Sequence, residues 1–140
     1  THSGILASVL GNNMRLPVTG IGVGRAKDAQ RALVHGLTEQ TLAYIGVDVA
    51  VRDEDVAVFD DYVGPGYSLP TPAMIEAVLM LARTESILLD PVYSGKAMSG
   101  LIDLARKDYF PKGANVLFLH TGGSPALFAY LDTFRNDPKF

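Results

Sequence analysis

Asn115-Val116-Leu117-Phe118-Leu119-His120-Thr121-Gly122-Gly123-Ser124-Pro125-Ala126-Leu127-Phe128-Ala129-Tyr130 is the stretch on which the fold turns. An apolar run rich in β-formers stops at a polar His-Thr, a glycine pair turns the chain, and an apolar helical pattern follows. That order predicts a buried strand carrying two polar side chains and a permissive turn to the end of a sheet, where α/β proteins place their ligands. Thr121 ends the strand, so its hydroxyl is expected to face a cavity. His120 alternates to the other side, where a structural hydrogen bond and catalysis are both open to it.

Outward from this stretch, short apolar runs alternate with helical ones. Ile5 to Leu10 reads as a helix and Leu16 to Val23 as a strand, with Pro17 at its start. Asp28 to Ile45 reads as an amphipathic helix capped by Asp28 and closed by Gly46. Val56-Ala57-Val58-Phe59 is a short strand, and a long turn from Asp60 to Tyr67 follows it. Helices are expected over Thr71 to Arg83, with apolar Met74, Ala77, Val78 and Leu81 on one side, and over Ser94 to Lys107. Ile87-Leu88-Leu89 is a brief apolar run ending at Asp90-Pro91, and the final ten residues read as a frayed tail. Strand-helix alternation implies an α/β fold, a mostly parallel sheet with helices on both faces. With no repeat, linker or low-complexity tract, residues 1–140 are expected to form a single domain or one lobe.

Composition narrows the function. The chain has 140 residues, 48% hydrophobic and 19% charged, with a formal net charge of −3. Its basic residues are scattered, which leaves no electrostatic footprint for nucleic acid. No apolar run approaches the roughly 20 residues that span a bilayer, and the opening residues do not resemble a signal peptide. A cytoplasmic location is expected. Cysteine is absent and the histidines, His2, His35 and His120, are far apart, so a thiolate or dedicated zinc site is not expected. The chain does not open with Met, which implies a processed start or a piece of a longer protein.

Several residues carry candidate chemistry. Thr1-His2-Ser3-Gly4 before Ile5-Leu6-Ala7 looks like the end of a phosphate loop entering a helix, where hydroxyls and free amides bind anions; the plainer account is a helix cap. Gly20, Gly22 and Gly24 fail the dinucleotide fingerprint because Arg25 and Lys27 stand where the spacing needs glycine, so close backbone approach is the better explanation. Asp60 and Asp61 are neighbours whose side chains diverge in an extended segment, which favours a turn or a helix cap over a carboxylate pair. Tyr67 follows Gly-Pro-Gly and Tyr93 follows Asp90-Pro91-Val92. Both tyrosines could project into one cleft to stack on a planar group or position a proton, or each could simply pack at a boundary. Lys96 invites thought as a carbonyl-bonding lysine, but a lysine in the first turns of a helix is expected to face solvent.

Three segments together resemble one family. Leu88-Leu89-Asp90-Pro91-Val92-Tyr93-Ser94-Gly95-Lys96-Ala97-Met98, the Leu119 to Tyr130 stretch and Asp60-Asp61-Tyr62-Val63-Gly64-Pro65-Gly66-Tyr67 are similar to D-cysteine desulfhydrase. With 1-aminocyclopropane-1-carboxylate (ACC) deaminase, it belongs to the tryptophan synthase β-like, fold type II enzymes that use pyridoxal 5'-phosphate. The resemblance covers essentially the whole chain. It implies that these residues are a carboxy-terminal part of the large cofactor-binding lobe. Thr1-His2-Ser3-Gly4 matches the second half of the family's phosphate loop, and the lysine that bonds the cofactor lies upstream of this sequence. Lys96 matches a different lysine, in a Tyr-x-Gly-Lys motif.

By the same resemblance, Thr1 helps hold the phosphate and Thr121 hydrogen-bonds the pyridine nitrogen. Tyr67 and Tyr93 flank the ring and substrate, one of them aiding proton transfer or substrate orientation. The cyclopropane-opening deaminases characteristically carry Glu after the tyrosine and Leu after the histidine, where this chain has Ser94 and Thr121. That implies the desulfhydrase branch: α,β-elimination on a β-substituted, D-cysteine-like amino acid, giving pyruvate, ammonia and sulfide. The alternatives are ACC deamination, L-cysteate sulfo-lyase activity and, from another class, a non-catalytic binding lobe. A Rossmann-type nucleotide binder is a remoter reading. The expected partners are an amino-acid substrate, the remainder of the parent chain and a second copy in a homodimer, and the isolated chain is expected to be inactive.

Overall fold

The computed structural model describes residues 1–135. The elements run α1 (His2–Gly11), β1 (Thr19–Ile21), α2 (Lys27–Tyr44), β2 (Ala57–Phe59), α3 (Pro72–Glu85), α4 (Ser94–Arg106) and α5 (Leu131–Arg135), with 3-10 turns at Asp53–Asp55 and Ser124–Tyr130. The chain divides into two compact units, Thr1–Asp60 and Asp61–Phe140. The boundary falls between the two aspartates that open the predicted long turn.

The first unit is a β-α-β arrangement. β1 and β2 pair in parallel, with Thr19 opposite Ala57, Gly20 opposite Val58 and Ile21 opposite Phe59. Parallel neighbours need a long crossover, and α2 supplies it. Leu6, Ala7, Val34, Leu42, Val51, Val56 and Val58 form the core; the period of Val34, Thr38 and Leu42 puts one stripe of α2 inside. Thr38 is buried without an unmet hydroxyl, because its Oγ1 donates to Val34 O at 2.7 Å. Gly20 in β1 and Gly22 just after it serve close approach, as their spacing suggests. A β-carbon on Gly20 would collide with the His2 imidazole, and Gly22 N donates to Phe59 O at 2.7 Å.

Asp28 does not cap α2, contrary to expectation. The N-cap is Ala26, and the first amide of the helix, Lys27 N, is taken by Asp60 Oδ2 at 2.7 Å. A carboxylate at the end of β2 therefore does from a distance what a local cap would do, and its charge suits the positive end of the helix.

In the second unit α3 packs on α4 around Met74, Ala77, Val78, Leu89, Met98 and Phe134. α3 starts as predicted: Thr71 Oγ1 accepts from Met74 N at 3.2 Å and Pro72 occupies the first turn. The close α3–α4 contact requires Gly95, where a β-carbon would lie 2.8 Å from Val78 Cγ2 and 2.6 Å from Asp90 O.

Two expectations are corrected here. Asn115 to Leu119 is not a buried strand: it is irregular and outward-facing, with Leu117 92% exposed. A strand needs a neighbour to satisfy its amides and carbonyls, and the regular sheet among the described residues consists of β1 and β2. The Ile87-Leu88-Leu89 run is irregular, and within it Leu89 is fully buried. The tail reading fails for Leu131–Arg135, which is helical and buries Phe134. Its remainder, from Asn136 on, lies outside the described residues. No helix among the described residues is long and apolar enough to cross a membrane.

Candidate active site

Asp90 organises the second unit's candidate site. It is buried, and its Oδ2 accepts from Val92 N at 2.8 Å and Tyr93 N at 2.7 Å. Its Oδ1 accepts from Ser94 N at 2.7 Å and Ser94 Oγ at 2.6 Å. The same carboxylate thus builds the turn, starts α4 and sets the backbone from which Tyr93 projects. Burial alone would raise its pKa, but the Ser94 hydroxyl and the amides of Ser94, Tyr93 and Val92 outweigh it and hold Asp90 below the ordinary carboxyl value.

Tyr67 arrives from the 60–71 loop and meets Tyr93. Their hydroxyls are in hydrogen-bond contact, and the rings sit edge to face with centroids 5.9 Å apart. Both rings are about half exposed, Tyr67 at 54% and Tyr93 at 49%. The hydrogen bond to Tyr93, with some desolvation, raises the Tyr67 pKa above that of free tyrosine, so it remains a phenol through the neutral range. Of the two arrangements their positions left open, the two tyrosines adopt the one in which they meet.

The turn that follows the 115–119 run is pinned on its inner side. Gly122 N donates to His120 Nδ1 at 2.9 Å, which leaves the proton on Nε2 to be donated to Leu88 O at 3.0 Å. Ser124 Oγ donates to the same carbonyl at 2.8 Å. His120 therefore has the structural role. Thr121 stands exposed at the tip, and its hydroxyl makes no hydrogen bond among the described residues. The expected cavity does not enclose it.

Thr1 belongs to the first unit. It is the N-cap of α1, with no capping bond from its side chain, so the first-turn amides have no side-chain acceptor there. His2 Nε2 beside it is buried without a hydrogen-bond partner among the described residues, and burial lowers the imidazole pKa. An amide-rich helix start, an unengaged hydroxyl and a neutral imidazole suit a phosphate group. An exposed Thr121 hydroxyl suits a ring nitrogen.

Two residues escaped sequence reasoning. Lys96, expected at the surface, is completely buried, and its Nζ donates to Val63 O at 2.7 Å and Gly66 O at 2.9 Å. The signal was the run Ser94-Gly95-Lys96-Ala97-Met98-Ser99-Gly100, whose small residues let the start of α4 sink into the unit. Asp90 could have been found from the Asp-Pro-x-x-Ser pattern, which suits an Asx-type turn leading into a helix.

Comparison with known proteins places the chain in a family. Residues 1–122 match the family model described as pyridoxal-phosphate dependent enzyme. Among curated proteins, an ACC deaminase of Bradyrhizobium sp. (strain ORS 278) is 37% identical over 136 residues, covering 97% of this chain and 40% of the relative. The ACC deaminases of Bradyrhizobium diazoefficiens, 38% identical, and Methylobacterium nodulans, 37% identical, match with the same coverage of both chains. A solved structure of an ACC deaminase homologue superposes with a TM-score of 0.79 at 33% identity, over 96% of this chain and 41% of that one. The chain thus spans about 40% of the length of the curated relatives it matches.

Proposed function

The chain belongs to the pyridoxal-phosphate dependent enzymes, and from that premise we propose that it is part of a lyase or deaminase that opens ACC. The observation that carries this reading is the meeting of Tyr67 and Tyr93 at an exposed edge, in a chain that aligns over nearly its whole length with ACC deaminases. The named relatives favour this reading over the D-cysteine reaction that the sequence motifs imply.

In the parent enzyme Thr1 and the first amides of α1 would hold the cofactor's phosphate, and the Thr121 hydroxyl would meet the pyridine nitrogen. The cofactor itself supplies electron withdrawal from the substrate's amino-bearing carbon. A hydroxyl partner cannot keep the ring nitrogen protonated as a carboxylate would, so Thr121 moderates that withdrawal. Tyr67 and Tyr93 orient the substrate, and a phenolic oxygen of the pair moves a proton at a substrate carbon. Lys96 is unsuited to bonding the cofactor, because its Nζ is buried and bound to two carbonyls. That lysine is assigned to the part of the parent outside this chain.

Ser94 and Thr121 favour a second reading, elimination from a D-cysteine-like amino acid. Ser94 gives no acid to the site, since its hydroxyl is turned inward onto Asp90. Both readings are tested on the full-length protein loaded with pyridoxal phosphate. Ammonia released from ACC supports the first, and sulfide released from D-cysteine supports the second. A protein that binds the cofactor yet turns over neither, nor L-cysteate, returns the chain to a non-catalytic binding lobe.

A further inference from the structure

Tyr67 and Tyr93 stand on different segments, and one side chain ties those segments together. Tyr93 is the N-cap of α4, and Lys96 is the third residue of that helix. From there Lys96 Nζ reaches back to the loop carrying Tyr67 and donates to Val63 O and Gly66 O. These carbonyls bracket Gly64-Pro65, and Gly66 immediately precedes Tyr67. On the other side of Tyr67, Tyr130 Oη donates to Ser68 O at 2.7 Å, where Ser68 holds a left-handed φ of 57°. The residues before and after Tyr67 are therefore both fixed through their carbonyls.

Lys96 is an expensive way to fill a core. It is wholly buried, and no carboxylate among the described residues pairs with it. Burial lowers its pKa, as expected for a cation whose partners are carbonyl dipoles alone. An apolar side chain of similar length would fill the same space without that penalty, but would leave Val63 O without this donor and Gly66 O with only a 3.3 Å bond from Leu69 N.

We infer that Lys96 is a positioning residue for the proposed reaction: by holding the Val63 and Gly66 carbonyls from α4, it keeps the Tyr67 hydroxyl against that of Tyr93. The functional half of this inference rests on the reading that the two tyrosines serve catalysis, whereas the geometric half does not.

The test is a double-mutant cycle in the full-length, cofactor-loaded protein with Lys96→Met, Tyr67→Phe and both changes together. Lys96→Met is expected to lower kcat by about tenfold or more with little change in KM, and to add almost nothing once Tyr67 is Phe. A second reading comes from NMR of ring-labelled tyrosines without substrate. Lys96→Met should move the Tyr67 resonance and lower the pH at which Tyr67 ionises, in the same direction as Tyr93→Phe. Should Lys96→Met fail to fold, Lys96→Arg carries both measurements, since it keeps a buried cation while displacing the donors. Losses that simply add in the cycle, or an unmoved Tyr67 resonance in a folded variant, overturn the inference. If the wild-type protein turns over no amino acid, the functional reading fails, while the NMR arm still decides whether Lys96 places Tyr67.

Discussion

Gly123 rests directly on the Asp90 carboxyl: a β-carbon there would lie 3.0 Å from Asp90 Cγ and 3.1 Å from Oδ1, and its φ is +92°. The turn bearing Thr121 and the turn bearing Tyr93 therefore share one buried carboxylate, the first by packing and the second by hydrogen bonds. Gly123→Ala meets both a steric and a conformational obstacle, with an expected loss of about 1–3 kcal/mol. Urea unfolding of the full-length protein measures it. A loss as small as that of an ordinary surface substitution would mean that the two turns do not bear on each other.

Asp90→Asn replaces a carboxylate that accepts from three amides and a hydroxyl. An amide offers a donor where an acceptor is needed, so the expected loss is about 3 kcal/mol at neutral pH. Folding lowers the Asp90 pKa, so the unfolded chain binds more protons in the interval between the two values. The stabilisation is complete above the unfolded carboxyl value, about 3.9, and disappears as pH falls through the lower folded value. The acid limb of stability against pH should be shallower in Asp90→Asn than in the wild type. Superimposable acid limbs would count against this account.

Much of the architecture is legible in the sequence because it is locally determined. Thr71-Pro72 marks the start of α3, and the spacing of Val34, Thr38 and Leu42 sets the buried stripe of α2. What is not legible depends on partners distant in sequence. Asn115 to Leu119 has the composition of a central strand, but strand state is a property of a pair, and no strand pairs with it among the described residues. Lys96 misleads for a related reason: average exposure of lysine says nothing about two carbonyls thirty or more residues upstream. At the candidate site, the positions of Tyr67 and Tyr93 at segment ends allow their meeting without requiring it, whereas the Asp90 hub emerges only from the hydrogen bonds.

Thr121→Val separates a binding role from a structural one. The side chain is exposed and unbonded among the described residues, so stability should change by no more than about 0.5 kcal/mol. In the cofactor-loaded protein the substitution removes the hydroxyl proposed for the pyridine nitrogen. The visible absorption of the bound cofactor should shift, and turnover should fall by about tenfold, the equivalent of one hydrogen bond near 1.4 kcal/mol. An unchanged spectrum and rate would place the ring nitrogen against another group.

Tyr93→Phe tests the tyrosine pair through both of its properties. The substitution keeps the ring and its edge-to-face packing on Tyr67 but removes the hydroxyl contact. Because that contact is the main cause of the raised Tyr67 pKa, Tyr67 should ionise closer to the free-tyrosine value of about 10. Ultraviolet difference titration reads this directly, with Tyr67→Phe identifying the signal. Loss of a positioned proton-transfer group lowers turnover by about 10²- to 10⁴-fold, so kcat should fall by at least the lower figure while cofactor affinity holds. A hydroxyl that only packs gives a different pattern: the titration shifts but turnover survives. That result would leave the Tyr67–Tyr93 contact in the structure and remove it from the chemistry.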